Sequence, residues 1–210
     1  IESFQEDVDQ VVVVVNNSKD KTEEIVRSMP KVEVYNFEWV NDFSIARNFS
    51  FSKLKTDWYL WVDADDTVYQ SENLHNIIKM VQPEVGGIWF PYHYAIDEFG
   101  NPCTIYERER LLRAKFGWVW RSRVHETVSP LTPCQYIRTD QVIIRHNHLT
   151  GTQRGERNFK LLYMMLKESS NDKRIWLYLG HQHFATQQWF KAAEWYLKFG
   201  ADKEALPLER

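Results

Sequence analysis

The chain has little of what would tie it to an oxidising compartment, a membrane or a nucleic acid. Of 210 residues only 2 are cysteine, Cys103 and Cys134, too few to be a disulfide scaffold at this size. The residues carry no secretory leader pattern, so the expectation is a reducing, cytoplasmic setting. No apolar run approaches the roughly 18 residues a membrane helix needs. The longest aliphatic stretch, Val11 to Val15, is closed by polar residues on both sides. Positive charge is not in excess either: 26 Lys and Arg stand against 29 Asp and Glu, a net charge of -3. Without a global basic field, nucleic acid is not an expected partner and any phosphate is bound locally. With 8 Gly and 7 Pro the composition is that of a globular chain long enough for one substantial core. What is abundant is tryptophan, 9 residues of it, which supplies large flat surfaces for a core or for sugars.

The hydrophobic pattern alternates strand and helix. The opening IESFQEDVDQ reads as a fading helix end that feeds into QVVVVV, a strand covered on both faces as in a parallel sheet. Turn residues follow, then a helix start in which Asp20 and Glu23 fit a capping box. KVEVYNF is a second strand, and the alternation is that of an α/β fold. In WVNDFSIARNFSFSKLK, Asn41 or Asp42 can cap a helix with Phe43, Ala46 and Leu54 on one face and Arg47 and Asn48 near its first turns. DWYLWVDADD is a buried strand ending abruptly in carboxylates, and SENLHNIIKMV puts Leu74, Ile77, Ile78 and Val81 on one helical stripe. From Gly86 to about Arg145 short strands with hairpin-like loops form an α+β appendage. After HNHLTG the pattern turns helical, so residues 1–150 and 151–210 are the expected domains, with a boundary near Gly151.

The carboxylate string carries the chemistry. Asp63 and Asp65 are two apart on an expected strand, so both project to one face while Ala64 faces away. Two carboxylates sharing a site repel unless a cation or protons neutralise them, and oxygen ligands without thiolates favour Mg²⁺ or Mn²⁺. An Asp-x-Asp alone is commonly a solvated acidic turn. Here an apolar strand delivers it to the edge of the sheet where open α/β folds bind ligands. Asp66 reads as a cap for the next turn.

Taken in order, VVVVVNNSKDKT, WVNDFSIARN, WYLWVDADD and WVWRSRVHE resemble a family 2 glycosyltransferase of the GT-A fold, over nearly the whole chain. The nearest flavour is the bacterial and viral subgroup in which that domain is followed by tetratricopeptide-like helices. Trp176, Leu179, Gly180, Ala192 and Tyr196 stand at the spacing of such a helix pair, with His183 in place of the usual tyrosine; an ordinary helical hairpin is the alternative. The resemblance implies a mostly parallel sheet, with the family's first strand missing ahead of Ile1 and a longer full protein.

The resemblance also implies roles. Asp63 would contact the nucleotide ribose, and Asp65 would coordinate the Mn²⁺ or Mg²⁺ that bridges the diphosphate. His146 is the third-ligand candidate, and an imidazole would favour Mn²⁺. Arg47 would approach the nucleotide or diphosphate. Glu126 would be the general base of an inverting transfer, with Asp97 in reserve, and His125 would orient the acceptor or simply pack. Trp118 and Trp120 are the candidate acceptor platforms, at most one of them facing the cleft. Arg108, Arg110 and Arg113 form a basic run that either assists the diphosphate or lies on a solvated face. The acid usual in the family at the end of the second strand is absent, where this chain has Val15, Asn16, Asn17 and Ser18. Asn16 or Asn17 could bond a uracil edge instead, and Asp20 keeps a later acidic position that a helix cap also explains. The expected activity moves a sugar from a nucleotide-sugar donor, a UDP-sugar foremost, to a hydroxyl of a glycan, lipid or protein. The terminal helices could meet a partner protein or a second copy. Two other readings compete: a noncatalytic interaction module on a degenerate scaffold, and a metal-dependent phosphodiesterase, for which no second acidic cluster is visible.

Overall fold

Val11–Val15 (β1) is β-branched throughout, which suits an extended backbone buried on both faces. In the computed structural model it pairs in parallel with Val32–Asn36 (β2), and the short helix Thr22–Arg27 (α1) makes the crossover. The structure describes residues 1–16, 18, 20–147 and 154–201, for Arg154 the backbone alone. Asn17, His148 and Gly151 therefore lie outside the described residues.

A six-stranded sheet follows the helix Phe43–Phe51 (α2). Its members are Trp58–Leu60 (β3), Asp66–Tyr69 (β4), Val85–Ile96 (β5), Pro102–Arg113 (β6), Gln135–Arg138 (β9) and Ile143–His146 (β10). The helix Leu74–Met80 (α3) joins β4 to β5, and Trp118–Arg121 (β7) pairs with Thr127–Pro130 (β8) in a separate two-stranded sheet. The order is β3-β6-β5-β10-β4, with β9 also on β5. Pairing is mixed, not mostly parallel: β5 runs parallel to β9 and β10, whereas β3–β6, β5–β6 and β4–β10 are antiparallel. The reason is the tight connection between β5 and β6. A loop this short can only return the chain beside itself, so it makes a hairpin. Asp97 closes that hairpin, accepting from the backbone N–H groups of Phe99 and Asn101.

Two apolar clusters hold this region. Leu74 and Ile77 of α3 pack on Val68, Ile88, Phe90 and Ile144 from three different strands, each fully buried side chain contributing on the order of 1.5–3 kcal/mol. The second cluster gathers Trp61, Leu112, Phe116, Trp118, Trp120 and Val128, with Phe51 against it. Close approach is built in at Gly86 and Gly87: a β-carbon there would collide with Cys134 and Tyr136, so glycine is what lets β9 sit against β5.

The chain divides into two compact units. Residues 1–40, 45–121 and 127–150 form the sheet-bearing one, and residues 41–44, 122–126 and 151–210 form the helical one. The helical unit contains Arg154–Glu168 (α4), Lys173–Ala185 (α5) and Trp189–Gly200 (α6). Asp172 caps α5 by accepting from the Arg174 N–H at 2.9 Å. Gly180 of α5 lies directly against the Tyr196 ring of α6, and Trp176, Leu179 and Ala192 are buried. His183 is buried too and meets the Tyr163 hydroxyl at 3.2 Å. Among the described residues, no helix is long and apolar enough to cross a membrane.

Candidate functional site

The acidic string does not continue β3. The strand ends at Leu60, with one more bond from the Trp61 N–H to the Arg110 carbonyl at 3.1 Å, and a turn at 64–65, closed by the Asp66 N–H bonding the Asp63 carbonyl at 3.0 Å, intervenes before β4 begins at Asp66. Strand alternation therefore does not govern Asp63 and Asp65, and the turn sends each to a different partner. Asp63 receives Arg47 Nη2 at 2.6 Å, with Arg47 projecting from α2. Asp65 lies 3.6 Å from Nδ1 of His146, the last residue of β10, and its carbonyl is held by the backbone and side-chain N–H groups of Asn147 at 2.7 and 3.1 Å. Residues 80 positions apart meet because β10 runs antiparallel to β4, with His146 opposite Asp66.

Asp66 is the residue that sequence reasoning misread. It does not cap an exposed turn; its side chain is fully buried and paired with Arg110 at 3.0 Å, itself 1% exposed. The Arg110 guanidinium lies between the rings of Trp61 and Tyr92, 3.8 and 4.4 Å from their centroids. Tyr92 donates its hydroxyl to Asp66 at 3.1 Å. Burial, reinforced by the Asp66 charge, pushes the Tyr92 hydroxyl well above its usual range, so it stays protonated as a donor. Burial pulls Arg110 down, and the charges of Asp66 and Asp63 oppose that pull. Burial would raise Asp63, but the charges of Arg47 and Arg110 outweigh it and hold the carboxyl below the usual carboxylate value. The only sequence signal for Arg110 was its place in RERLLRA, just ahead of two apolar residues.

Asp65, Asp66 and His146 offer ligand atoms that all lie within 4.8 Å of one another. Two carboxylates and an imidazole without thiolates fit a hard to borderline divalent cation of the Mn²⁺ or Mg²⁺ class. The Tyr94 ring is stacked on His146, 5.4 Å between centroids and 4° between planes, and fixes the imidazole plane.

Other expected site residues are placed differently. Trp118 and Trp120 are not platforms. They are 6% and 2% exposed, because a regular strand puts both on one face and that face is the core. Trp120 meets Trp61 edge to face at 4.9 Å, and Arg47 stands 4.7 Å over its ring. Asp97 is engaged as the hairpin turn residue, and the Asn101 N–H bond first of all holds its carboxyl low. Asp20 accepts from the Thr22 N–H at 3.0 Å and is a helix-start turn; the expected reciprocal partner, Glu23, pairs instead with Arg27 at 2.7 Å. Asn16 is exposed just beyond β1. Arg113 is bound to the Gln82 and Pro83 carbonyls, and Arg108 stands 5.5 Å over the Trp61 ring.

In the helical unit, Glu126 is half-buried and follows His125 in the segment 122–126. The His125 ring stacks on Tyr178, 4.1 Å between centroids and 10° between planes, and Arg174 holds its carbonyl at 3.2 Å. His125 therefore packs, and burial drops its pKa to about 4. Ser122 and His125 both have positive φ, 78° and 52°, a backbone state that costs a non-glycine residue about 1–2 kcal/mol. Arg123, between them, grips Glu168 of α4 through two nitrogens at 2.6 and 3.2 Å.

Comparison with known proteins follows this geometry. The glycosyltransferase SunS, SPbeta prophage-derived in Bacillus subtilis strain 168 and also known from Bacillus phage SPbeta, is 32% identical over 83 residues in either form, which is 39% of this chain and 19% of SunS. The match thus spans about a fifth of the length of these relatives. Among solved structures, residues 1–349 of S. aureus TarS in complex with UDP-GlcNAc superpose with a TM-score of 0.50 at 13% identity, over 90% of this chain and 72% of that one, a likeness of fold. The profile of Glycosyl transferase family 2 matches residues 1–149, more than two thirds of the sequence, and the chain belongs to that family.

Proposed function

We propose that the protein transfers a sugar from a nucleotide-sugar donor to an acceptor hydroxyl, with inversion at the anomeric carbon and with a divalent cation, Mn²⁺ or Mg²⁺, at Asp65 and His146. The observation that carries the reading is the convergence of Asp65 and His146, 3.6 Å apart, next in the chain to an Asp63 paired with Arg47. A bound cation would supply Lewis-acid stabilisation of the charge that grows on the departing diphosphate. The chain's own groups do the rest. Asp63, held ionised by Arg47, would accept hydrogen bonds from the ribose hydroxyls of the donor, and the Arg47 charge would face the diphosphate. Asn16 and Asn17 would meet the base. TarS, a solved protein of similar fold, was captured with UDP-GlcNAc, which supports a UDP-sugar as the first donor to try.

The acceptor hydroxyl oxygen attacks the anomeric carbon as the bond from that carbon to the diphosphate oxygen breaks. The electron pair leaves with the nucleoside diphosphate, and the acceptor proton passes to the Glu126 carboxylate. This role of Glu126 rests on its place in the string WVWRSRVHE. The exposed side chains of α6, Phe190 at 90% and Leu197 at 72%, support reading the α5–α6 pair as a tetratricopeptide-like docking surface for a protein partner. The test is a screen of nucleotide sugars with Mn²⁺ present, following nucleotide release and the anomeric configuration of the product by NMR. Release that is lost in Asp65→Asn and Glu126→Gln, with an inverted product, is the expected result. No release from any donor, or a product of retained configuration, would refute the reading.

A further inference from the structure

Three donors and a histidine ring nitrogen converge on the Asp66 carboxylate. Its Oδ1 accepts from the Tyr92 hydroxyl at 3.1 Å and lies 3.3 Å from His146 Nδ1. Its Oδ2 accepts from Arg110 Nη1 at 3.0 Å and from the Asp63 backbone N–H at 3.3 Å. An ionised carboxylate offers about four lone-pair sites and no proton of its own. In Asp66, whose side chain is fully buried, three protein donors and the His146 ring nitrogen face them. A cation drawn to this cluster would have to displace a buried guanidinium, a backbone N–H or a buried hydroxyl to reach that carboxylate. The backbone N–H or the hydroxyl would then be stranded, and the guanidinium, left with the Trp61 carbonyl, would lose its buried counter-charge. Asp65 differs in that its side chain keeps 14% of its exposure, against 0% for Asp66.

The consequence falls on His146. A neutral imidazole carries one N–H and one lone pair, and a partner that can only accept decides where the proton sits. We propose that Asp66 is not a ligand of the cation but the residue that positions one: of the two carboxylates facing His146 Nδ1, Asp66 at 3.3 Å and Asp65 at 3.6 Å, it is Asp66 that takes the Nδ1–H, so that the Nε2 lone pair is the ring's donor to the cation. Arg110 supplies the counter-charge that lets Asp66 do this in the core, and Tyr94 fixes the plane in which the ring can turn. The arrangement is a carboxylate-histidine-metal relay with a buried arginine behind it. It rests on the cation-dependent reading above, and it makes Asp66, which an Asp-x-Asp pattern skips, the structural centre of the string.

The test begins without any metal. Long-range ¹H–¹⁵N spectra of the cation-free full chain, with ¹⁵N-labelled histidine and His146 assigned by its Gln variant, should show a ring protonated at Nδ1 and bare at Nε2. A ring protonated at Nε2 overturns the proposal. In Asp65→Asn the Nδ1–H tautomer should persist while Mn²⁺ binding is lost, whereas in Asp66→Asn the tautomer should shift and the Mn²⁺ dissociation constant rise about 10–100-fold. Should Asp66→Asn fail to fold, the double variant Asp66→Asn/Arg110→Met removes both buried charges and is read in the same way. Parental Mn²⁺ affinity in a folded Asp66 variant would also overturn the proposal. A parent that binds no Mn²⁺ at all would sink the cation reading of the site, while the tautomer spectrum still decides what Asp66 does.

Discussion

Replacing Arg110 by methionine puts the buried ion pair to the sharpest stability test. Arg110 and Asp66 have 1% and 0% of their side chains exposed, so neither charge can recover water if the other is removed. Stranding one member of such a pair costs about 3–5 kcal/mol, against about 0–1 kcal/mol for a pair at the surface. Methionine keeps most of the volume and can still lie between Trp61 and Tyr92, so the loss is electrostatic more than steric. For a chain of this length each kcal/mol moves the melting temperature by about 2–4 °C, so the variant should melt roughly 6–20 °C below the parent. Urea unfolding read by tryptophan fluorescence gives the free-energy difference. The variant Asp66→Asn/Arg110→Met, which leaves no uncompensated charge, should recover at least half of the loss. If Arg110→Met lies within about 1 kcal/mol of the parent, the pair behaves as a solvated one, and the account of a cluster anchored from beneath is refuted.

Three further outcomes follow from the same reasoning. Trp120→Ala should destabilise by about 3–5 kcal/mol, since it empties a 2% exposed site and removes the edge-to-face contact with Trp61; an unchanged urea midpoint with a weakened acceptor KM would restore the platform role. His125 is buried neutral with a pKa of about 4, so the unfolded chain binds its proton first as pH falls. Stability should therefore drop between the ordinary histidine value and pH 4, by up to about 3 kcal/mol at 1.36 kcal/mol per pH unit, and His125→Gln should flatten the profile in that window. Gly180→Ala forces a methyl into the Tyr196 ring and should cost about 1–3 kcal/mol in thermal unfolding, an effect that the further change Tyr196→Ala should relieve.

Residues whose roles depend on near neighbours were readable in the sequence. Five valines in a row announced β1, and the α3 stripe put Leu74 and Ile77 in the core where periodicity placed them. The Asp63–Arg47 pairing and the Asp65–His146 contact bring together residues that the resemblance had already named for one site. What failed were inferences that needed a surface to be assigned to one side or the other. Alternation correctly predicts that Trp118 and Trp120 share a face, but alternation is indifferent to whether that face meets solvent or Trp61. The antiparallel share of the sheet was half legible: hairpin-like loops marked the stretch from Gly86 to about Arg145 as an appendage, but nothing local shows that β5 and β6 pair with β3, β10 and β9 in one sheet.

Asp66 shows the limit most clearly. Nothing within a few residues of it distinguishes a capping aspartate from a buried one. Its partners come from positions 63, 92, 110 and 146, on three strands and a turn. A buried carboxylate is tolerable only when such donors arrive together, and they arrive together only because β4, β10, β5 and β6 are neighbours in that order. The site and the sheet order are therefore one specification. A change that slips the register of β10 against β4 by a single residue would move His146 away from Asp66 and turn Ile144 out of the core in the same step, so activity and stability should fail together at this strand.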